Sequence, residues 1–384
     1  MANSFIVPKY IVAGEEALKE SISYLKDCGK KAFIVTDKMM VELGSVTKVI
    51  KILDEADIEY SIFSEVNSEP TDKIIIEGIN EYKLSGCDFL IGLGGGSPID
   101  AMKAIGAMIT NNGDITDYVG KVIEKAPPKL VAIPTTAGTG SEATQFTIIS
   151  DTQNGVKMLL KGPYLMPSVA IIDPIFTLTA PKNVTAATGV DALTHAIEAY
   201  TSRKAQPLSD TMALSAIKRI YGNLLKAYSN GSDLKARGEM AIAALEAGTA
   251  FNNASVTLVH GMSRPIGALF HVPHGLSNAM LLKECLEFAK EGAVERFCDM
   301  AKAIGIYKSS MTLEEGAEAF LEAIKELLVS LNIDTLEEFG VEKEEFFEVM
   351  DKMAEDALIS GSPQNTRRSP SKKEIIDIYK ALWN

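Results

Sequence analysis

Up to about residue 178 the chain alternates short apolar runs with amphipathic stretches of helical length. The runs are Ala32 to Thr36, Ile58 to Phe63, Phe89 to Leu93, Leu130 to Ile133 and Val169 to Ile172. Strands of this kind, separated by helices, predict a mainly parallel sheet covered on both faces. After Pro181 the period changes to a four-residue step. Leu208, Met212, Ala216, Ile220 and Leu224 keep it, as do Phe320, Ile324 and Leu328 and, more loosely, Leu313 and Ala317. Segments 237–252, 343–358 and 372–383 repeat the helical pattern, with no convincing strand among them. The expected fold is a Rossmann-like α/β domain over residues 1–178 followed by an all-α domain over 179–384. The boundary is placed between Asp173-Pro174 and Pro181, where prolines break regular structure.

Length and composition narrow the class. A chain of 384 residues with 46% apolar content fills two cores more readily than one. Thirty-eight basic against 51 acidic residues leave a net charge of −13, which argues against a nucleic-acid partner. Cys28, Cys87, Cys285 and Cys298 are scattered, without a CxxC pair, and fit a reducing cytoplasm. The first residues, Met1 to Lys9, lack the charged, apolar and cleavage regions of an export signal, and no run is long enough to span a membrane.

All four histidines, His195, His260, His271 and His274, fall in one stretch, and Asp191 precedes the first by four residues. In the helical pattern of Gly189 to Tyr200, Asp191 and His195 project from one face, so a single helix can present two metal ligands. The same spacing also suits a surface pair. The segment from His260 to His274 contains two prolines and two glycines, which predicts its histidines near helix ends or in loops. One carboxylate with two or three imidazoles suits Fe(II) or Zn(II) better than calcium or magnesium. His271, between Phe270 and Val272, is expected outside the ligand shell, as a core or pocket residue.

Two loops follow predicted strands. After Leu93 comes Gly94-Gly95-Gly96-Ser97-Pro98-Ile99-Asp100, where glycines allow close backbone approach, Ser97 is expected to cap a helix and Pro98 to occupy its first position. Free amides there suit a pyrophosphate, and a ligand-free glycine turn suits the run equally well. After Ile133 comes Pro134-Thr135-Thr136-Ala137-Gly138-Thr139-Gly140-Ser141-Glu142, rich in hydroxyls and small residues. Asp37, closing the Ala32 to Thr36 strand, either holds a ribose diol, favouring NAD over NADP, or caps the next helix.

Together with Gly189 to Tyr200 and His260 to Gly275, these loops resemble the iron-containing, group III alcohol dehydrogenases, and the similarity spans nearly the whole chain. Phe33 to Asp37, Ile171 to Pro174 and the Asn365 loop extend it. The resemblance implies a dehydroquinate synthase-like architecture in which a deep cleft between the nucleotide-binding and metal-binding domains holds NAD and one divalent ion, iron or zinc. It implies Asp191, His195, His260 and His274 as ligands, Gly94, Gly95, Ser97, Thr135, Thr136 and Thr139 around the cofactor phosphates, with Asp100 in the same cofactor set, and Asp37 on the ribose. His271 and Arg264 are assigned to the substrate pocket. Several family members carry histidine where this chain has Arg264, and arginine is a poor general base. Arg264 is therefore expected either in a structural salt bridge or pairing an anionic substrate.

The implied activity is hydride transfer between nicotinamide and a short primary alcohol or diol, or the matching aldehyde. Reduction of a carboxylated or sulfonated aldehyde, such as sulfoacetaldehyde or a semialdehyde, is the alternative that Arg264 raises. A dehydroquinate synthase-like lyase, which oxidises its substrate only transiently, and a non-enzymatic metal-storage or NAD-sensing protein are the rival classes. The Phe5 to Val7 and Tyr10 to Val12 segments are expected to form an exposed edge through which a homodimer pairs.

Overall fold

The computed structural model describes residues 2–383. The chain divides into two compact units, Ile6–Ala180 and Pro181–Asn384, with the residues up to Phe5 grouped with the second. The grouping of that short leading segment differs from a division at 178. Gln206 Nε2 donates to the Ser4 carbonyl at 3.1 Å, which ties it to the helical unit.

The α/β unit is built on six parallel strands: β1 (Tyr10–Ala13), β2 (Lys31–Val35), β3 (Glu59–Phe63), β4 (Phe89–Gly94), β5 (Lys129–Pro134) and β8 (Val169–Ile172). Their order across the sheet is β1-β8-β5-β4-β2-β3. Successive residues of β2 feed opposite cores: Phe33 and Val35 join one cluster, Ala32 and Ile34 the other, as the two-residue pleat requires. β4 is buried along its whole length, which explains its unbroken apolar run. At Gly92 a Cβ would lie 3.1 Å from Ile99 Cα, so glycine admits the Gly96–Thr110 helix against the strand.

Connections run from β2 outward to β3, then back across β2 to β4 and onward to β5, so the direction reverses between β2 and β4. The carboxyl ends beside such a reversal form a crevice in open α/β sheets. An antiparallel hairpin, β6 (Phe146–Asp151) and β7 (Val156–Lys161), forms a separate sheet and is not among the strands that the apolar runs predict. Its turn contains Asn154-Gly155, with Gly155 at φ 66°, a hairpin signal present in the sequence. At the sheet edge only Tyr10–Ala13 is a strand; Phe5 to Val7 is not.

The second unit is all-helical among the described residues. Helices Lys182–Thr201, Pro207–Ser229 and Leu234–Ala254 pack on one another, and Leu258–Phe270, His274–Lys290, Val294–Ala303, Leu313–Ser330, Lys343–Ile359 and Lys372–Ala381 follow. The periodic residues behave as predicted at the core: Ala216, Ile220, Leu224, Phe320 and Ile324 are buried. Leu208 and Leu313, in the first turns of their helices, are exposed. Among the described residues, no helix is long and apolar enough to cross a membrane.

Candidate metal centre and nucleotide loops

The Lys182–Thr201 helix carries Asp191, His195 and Glu198 on one face, at steps of four and three residues. Every residue from Gly189 to Thr201 is buried, so each polar side chain there needs a partner. His260 is the third residue of the Leu258–Phe270 helix and His274 the first of His274–Lys290. Gly275 lets the latter helix approach: a Cβ there would lie 2.8 Å from Ala187 O and 3.5 Å from Asp191 Cβ.

One ligand-capable atom from each of Asp191, His195, His260 and His274 lies within 4.8 Å of the others. Asp191 Oδ1 is 3.6 Å from His260 Nε2, 3.7 Å from His274 Nε2 and 3.9 Å from His195 Nδ1. Nitrogen and oxygen ligands at about 2.0–2.1 Å from one tetrahedral ion stand roughly 3.4 Å apart, so these residues fit a single divalent ion. The buried His195 Nδ1 has no hydrogen-bond partner, as expected of a lone pair aimed at a cation. His195 is held in place by stacking on Phe251, with centroids 4.2 Å apart.

Electrostatics favour ligand chemistry. Burial alone raises the Asp191 carboxyl, but the imidazoles of His195, His274 and His260 outweigh it and hold the group well below the carboxylate range. Burial, reinforced by His260 and His274, pushes His195 down to about 3 against the pull of Asp191, so its imidazole is neutral at physiological pH. His260 is desolvated too, yet Glu198 and Asp191 raise it to about 9. Glu198 Oε2 lies 2.6 Å from His260 Nδ1, while Oε1 accepts from Val259 N (2.6 Å) and Thr257 Oγ1 (2.9 Å). That carboxylate fixes a proton on Nδ1 and leaves Nε2 facing Asp191, the arrangement by which an outer carboxylate orients a ligating histidine.

In the α/β unit, the loops after β2, β4 and β5 lie at the carboxyl ends of adjacent strands, and Thr135 N donates to Gly94 O at 2.9 Å. Gly94 has φ 154°, and a Cβ there would lie 2.5 Å from Pro98 Cγ. A Cβ on Gly96 would lie 3.0 Å from Thr139 Cγ2, so the two loops touch through that glycine. The helix begins earlier than expected: Gly95 is the N-cap, Gly96 starts Gly96–Thr110, and Ser97 and Pro98 fall inside its first turn. The glycines make the turn themselves, so Ser97 does not cap. Asp37 caps the Lys38–Glu42 helix, its Oδ1 accepting from Met40 N at 2.8 Å.

Asp100 is committed inside the unit. Its Oδ1 accepts from Ser141 Oγ and its Oδ2 from Ile148 N, so it braces the two loops and β6. Beside it the buried Lys103 Nζ donates to Ser141 Oγ, to Thr144 O and Oγ1, and to Phe146 O.

Comparison with known proteins decides the family. The model described as iron-containing alcohol dehydrogenase matches residues 8–174, and that of the Fe-containing alcohol dehydrogenase family, C-terminal, matches residues 185–383. The chain belongs to the iron-containing alcohol dehydrogenase family. It is 39% identical to the 1,3-propanediol dehydrogenase of Citrobacter freundii over 92% of each chain. It is also 39% identical to the NAD-dependent methanol dehydrogenase of Bacillus methanolicus, over 95% of this chain and 96% of that one. A crystal structure of 1,3-propanediol oxidoreductase superimposes with a TM-score of 0.96, at 36% identity and full coverage of both chains. This dehydrogenase is thus an oxidoreductase with the family's two-part fold.

Two pocket expectations change. His271 ends the Leu258–Phe270 helix in the left-handed conformation at φ 55° and is exposed, so it is not a core residue, and it lies outside the four-residue cluster as expected. Arg264 forms no salt bridge among the described residues; its Nη1 donates to Ser362 Oγ at 3.1 Å. Two residues of the centre escaped sequence reasoning. Glu198 was readable, since it shares the helical face of Asp191 and His195. Asn278, four residues after His274, donates from Nδ2 to Asp191 Oδ1 at 2.7 Å and lies 3.2 Å from Nε2 of both His260 and His274.

Proposed function

We propose that this family member is a metal-dependent, NAD(H)-linked alcohol dehydrogenase and aldehyde reductase acting on a short primary alcohol or diol, or the matching aldehyde. The convergence of Asp191, His195, His260 and His274 carries the reading. These four side chains would hold one divalent ion, iron or zinc. Such an ion, when bound, supplies a positive charge that polarises a carbonyl and eases loss of the alcohol proton. The protein's own part is to orient the imidazoles, through Glu198 on His260 and the Phe251 stack on His195, and to keep His195 neutral by burial.

The amides and hydroxyls of Gly94, Gly95, Ser97, Thr135, Thr136 and Thr139 are assigned to the cofactor pyrophosphate, and the uncapped oxygen of Asp37 to the ribose, where its charge disfavours a 2′-phosphate. Asp100 is reassigned from cofactor contact to bracing those loops. The names of the C. freundii and B. methanolicus relatives support short alcohols, and the latter supports NAD. A homodimer formed through the β1 edge, where Ile11 is exposed, and a reducing cytoplasm suited to four free cysteines complete the proposal.

The test is NADH absorbance with a panel of alcohols, using protein loaded with Fe(II) or Zn(II) and protein stripped by chelator. NADH should accumulate steadily with 1,3-propanediol or methanol in the loaded enzyme and stop on stripping. A lyase would return its hydride each cycle and show no accumulation, which would overturn the reading.

A further inference from the structure

Arg264 is a half-buried cation that the mechanism above does not use. It follows His260 by one turn on the Leu258–Phe270 helix, so the two side chains leave the same face. The neutral Ser362 hydroxyl is the one acceptor found for it among the described residues, and no carboxylate there pairs with it within 4.0 Å. Glu198 acts on it only through space, its oxygens being engaged by His260, Thr257 and Val259.

Three other arginines of the helical unit have fuller sets of partners. Arg296 forks onto Asp210 and reaches Tyr200 O, Arg219 pairs with Glu239 and Glu246, and Arg203 donates to Thr366 O, Arg367 O and Ser369 Oγ. Arg264 stays charged, because guanidinium does not lose its proton in proteins. With a single neutral hydroxyl as its protein partner, its other N–H groups are left to solvent, open to an anionic ligand. The loop that holds it is fixed: a Cβ on Gly261 would lie 2.6 Å from Pro363 Cγ, so helix and loop are in direct contact next to Ser362. In a chain of net charge −13, capture of an anion also needs a dedicated local cation.

We propose that Arg264 is a specificity-determining residue that pairs, through its planar fork, with a carboxylate or sulfonate at the far end of a short aldehyde or alcohol substrate. This rests on the dehydrogenase reading and adds to its substrates short carbonyl compounds that carry an anionic end group, preferred over neutral ones of the same length.

The experiment compares kcat/KM for 4-oxobutanoate, a sulfonated aldehyde and uncharged butanal in the metal-loaded wild-type enzyme, R264A and R264K. The anionic-to-neutral ratio should fall ten- to a hundredfold in R264A, mainly through KM, and recover in part in R264K, which keeps the charge but not the fork. The wild-type ratio that is larger, carboxylate or sulfonate, identifies the end group. An unchanged ratio in R264A overturns the proposal. Binding provides a second readout: 4-hydroxybutyrate should raise the Tm of wild type more than that of R264A, and equal shifts, or none in either, overturn it too. Absence of turnover with every substrate in wild type would instead sink the dehydrogenase reading, leaving the pairing to be judged by the thermal shift.

Discussion

Replacing Glu198 with glutamine tests whether the centre depends on a group that touches no ligand-binding position. In the wild type, Oε1 is engaged by Val259 N and Thr257 Oγ1, and Oε2 faces His260 Nδ1 at 2.6 Å. A glutamine that keeps its oxygen on the two donors must point its NH2 at Nδ1. Two donors then oppose each other unless the imidazole moves its proton to Nε2, the atom 3.6 Å from Asp191 Oδ1. The proposed ligand atom is blocked in that tautomer. Loss of an outer-shell partner of this kind typically weakens metal binding 10- to 100-fold, or about 1.4–2.8 kcal/mol. Competition with a chromophoric chelator at fixed pH measures the affinity, and far-UV circular dichroism checks that the helices persist. Affinity within threefold of wild type, in a folded E198Q protein, would refute the argument.

Glu142, buried at the second loop, has its carboxyl raised to about 7 by burial, against the opposing pull of its own backbone amide and Lys103. Because the folded value exceeds the ordinary 4.5, the stabilising protonated form is complete below about 4.5 and is lost as pH rises through 7, at a cost of about 3 kcal/mol. E142Q should therefore match wild type in urea unfolding at acidic pH and exceed it at mildly alkaline pH; a gap that does not widen with pH contradicts this. G94A forces a side chain into φ 154° and against Pro98 Cγ, so it should lose roughly 1–3 kcal/mol and raise the KM for NAD, and an unchanged Tm would count against the glycine argument. Chelation should lower Tm without removing the helical signal, the loss of stability being about 2.7 kcal/mol where free metal had stood at a hundred times its Kd; a collapse of helicity would show that the ion is needed for folding.

The parts legible in the sequence are those governed by local period. The five predicted strands and the long helices follow from residues such as Phe33, Val35, Ile220 and Phe320, whose burial is set by pleat or turn. Asp191 and His195 were paired by their spacing alone. What escaped depends on chain crossings or on weighing one local signal against another. The start of the Gly96–Thr110 helix moved because three glycines can turn the chain without Ser97. Asp100 looked like a ligand because it follows a phosphate-type loop, but Ser141 and Ile148, more than forty residues away, occupy its oxygens. Arg264 and Ser362 are 98 positions apart, so a salt bridge was the natural expectation and a hydroxyl contact was not predictable.

The geometry of the four-residue centre is itself a tertiary product held by protein groups. Gly275 sets the distance between two helices, Phe251 fixes the His195 ring, Glu198 orients His260, and Asn278 bonds Asp191 while lying between His260 and His274. All four act from outside the ligand set, and all four are placed on helices, where a shift of one side chain meets a packed neighbour. Arranged this way, the lone pairs converge because the helices do, and an ion would enter a prepared site instead of organising one. The buried Asp191 carboxylate is stable there because Asn278 and the imidazoles surround it, and His260 because Glu198 holds its Nδ1, which is why Glu198 and Asn278 belong to the centre as much as the four residues that face inward.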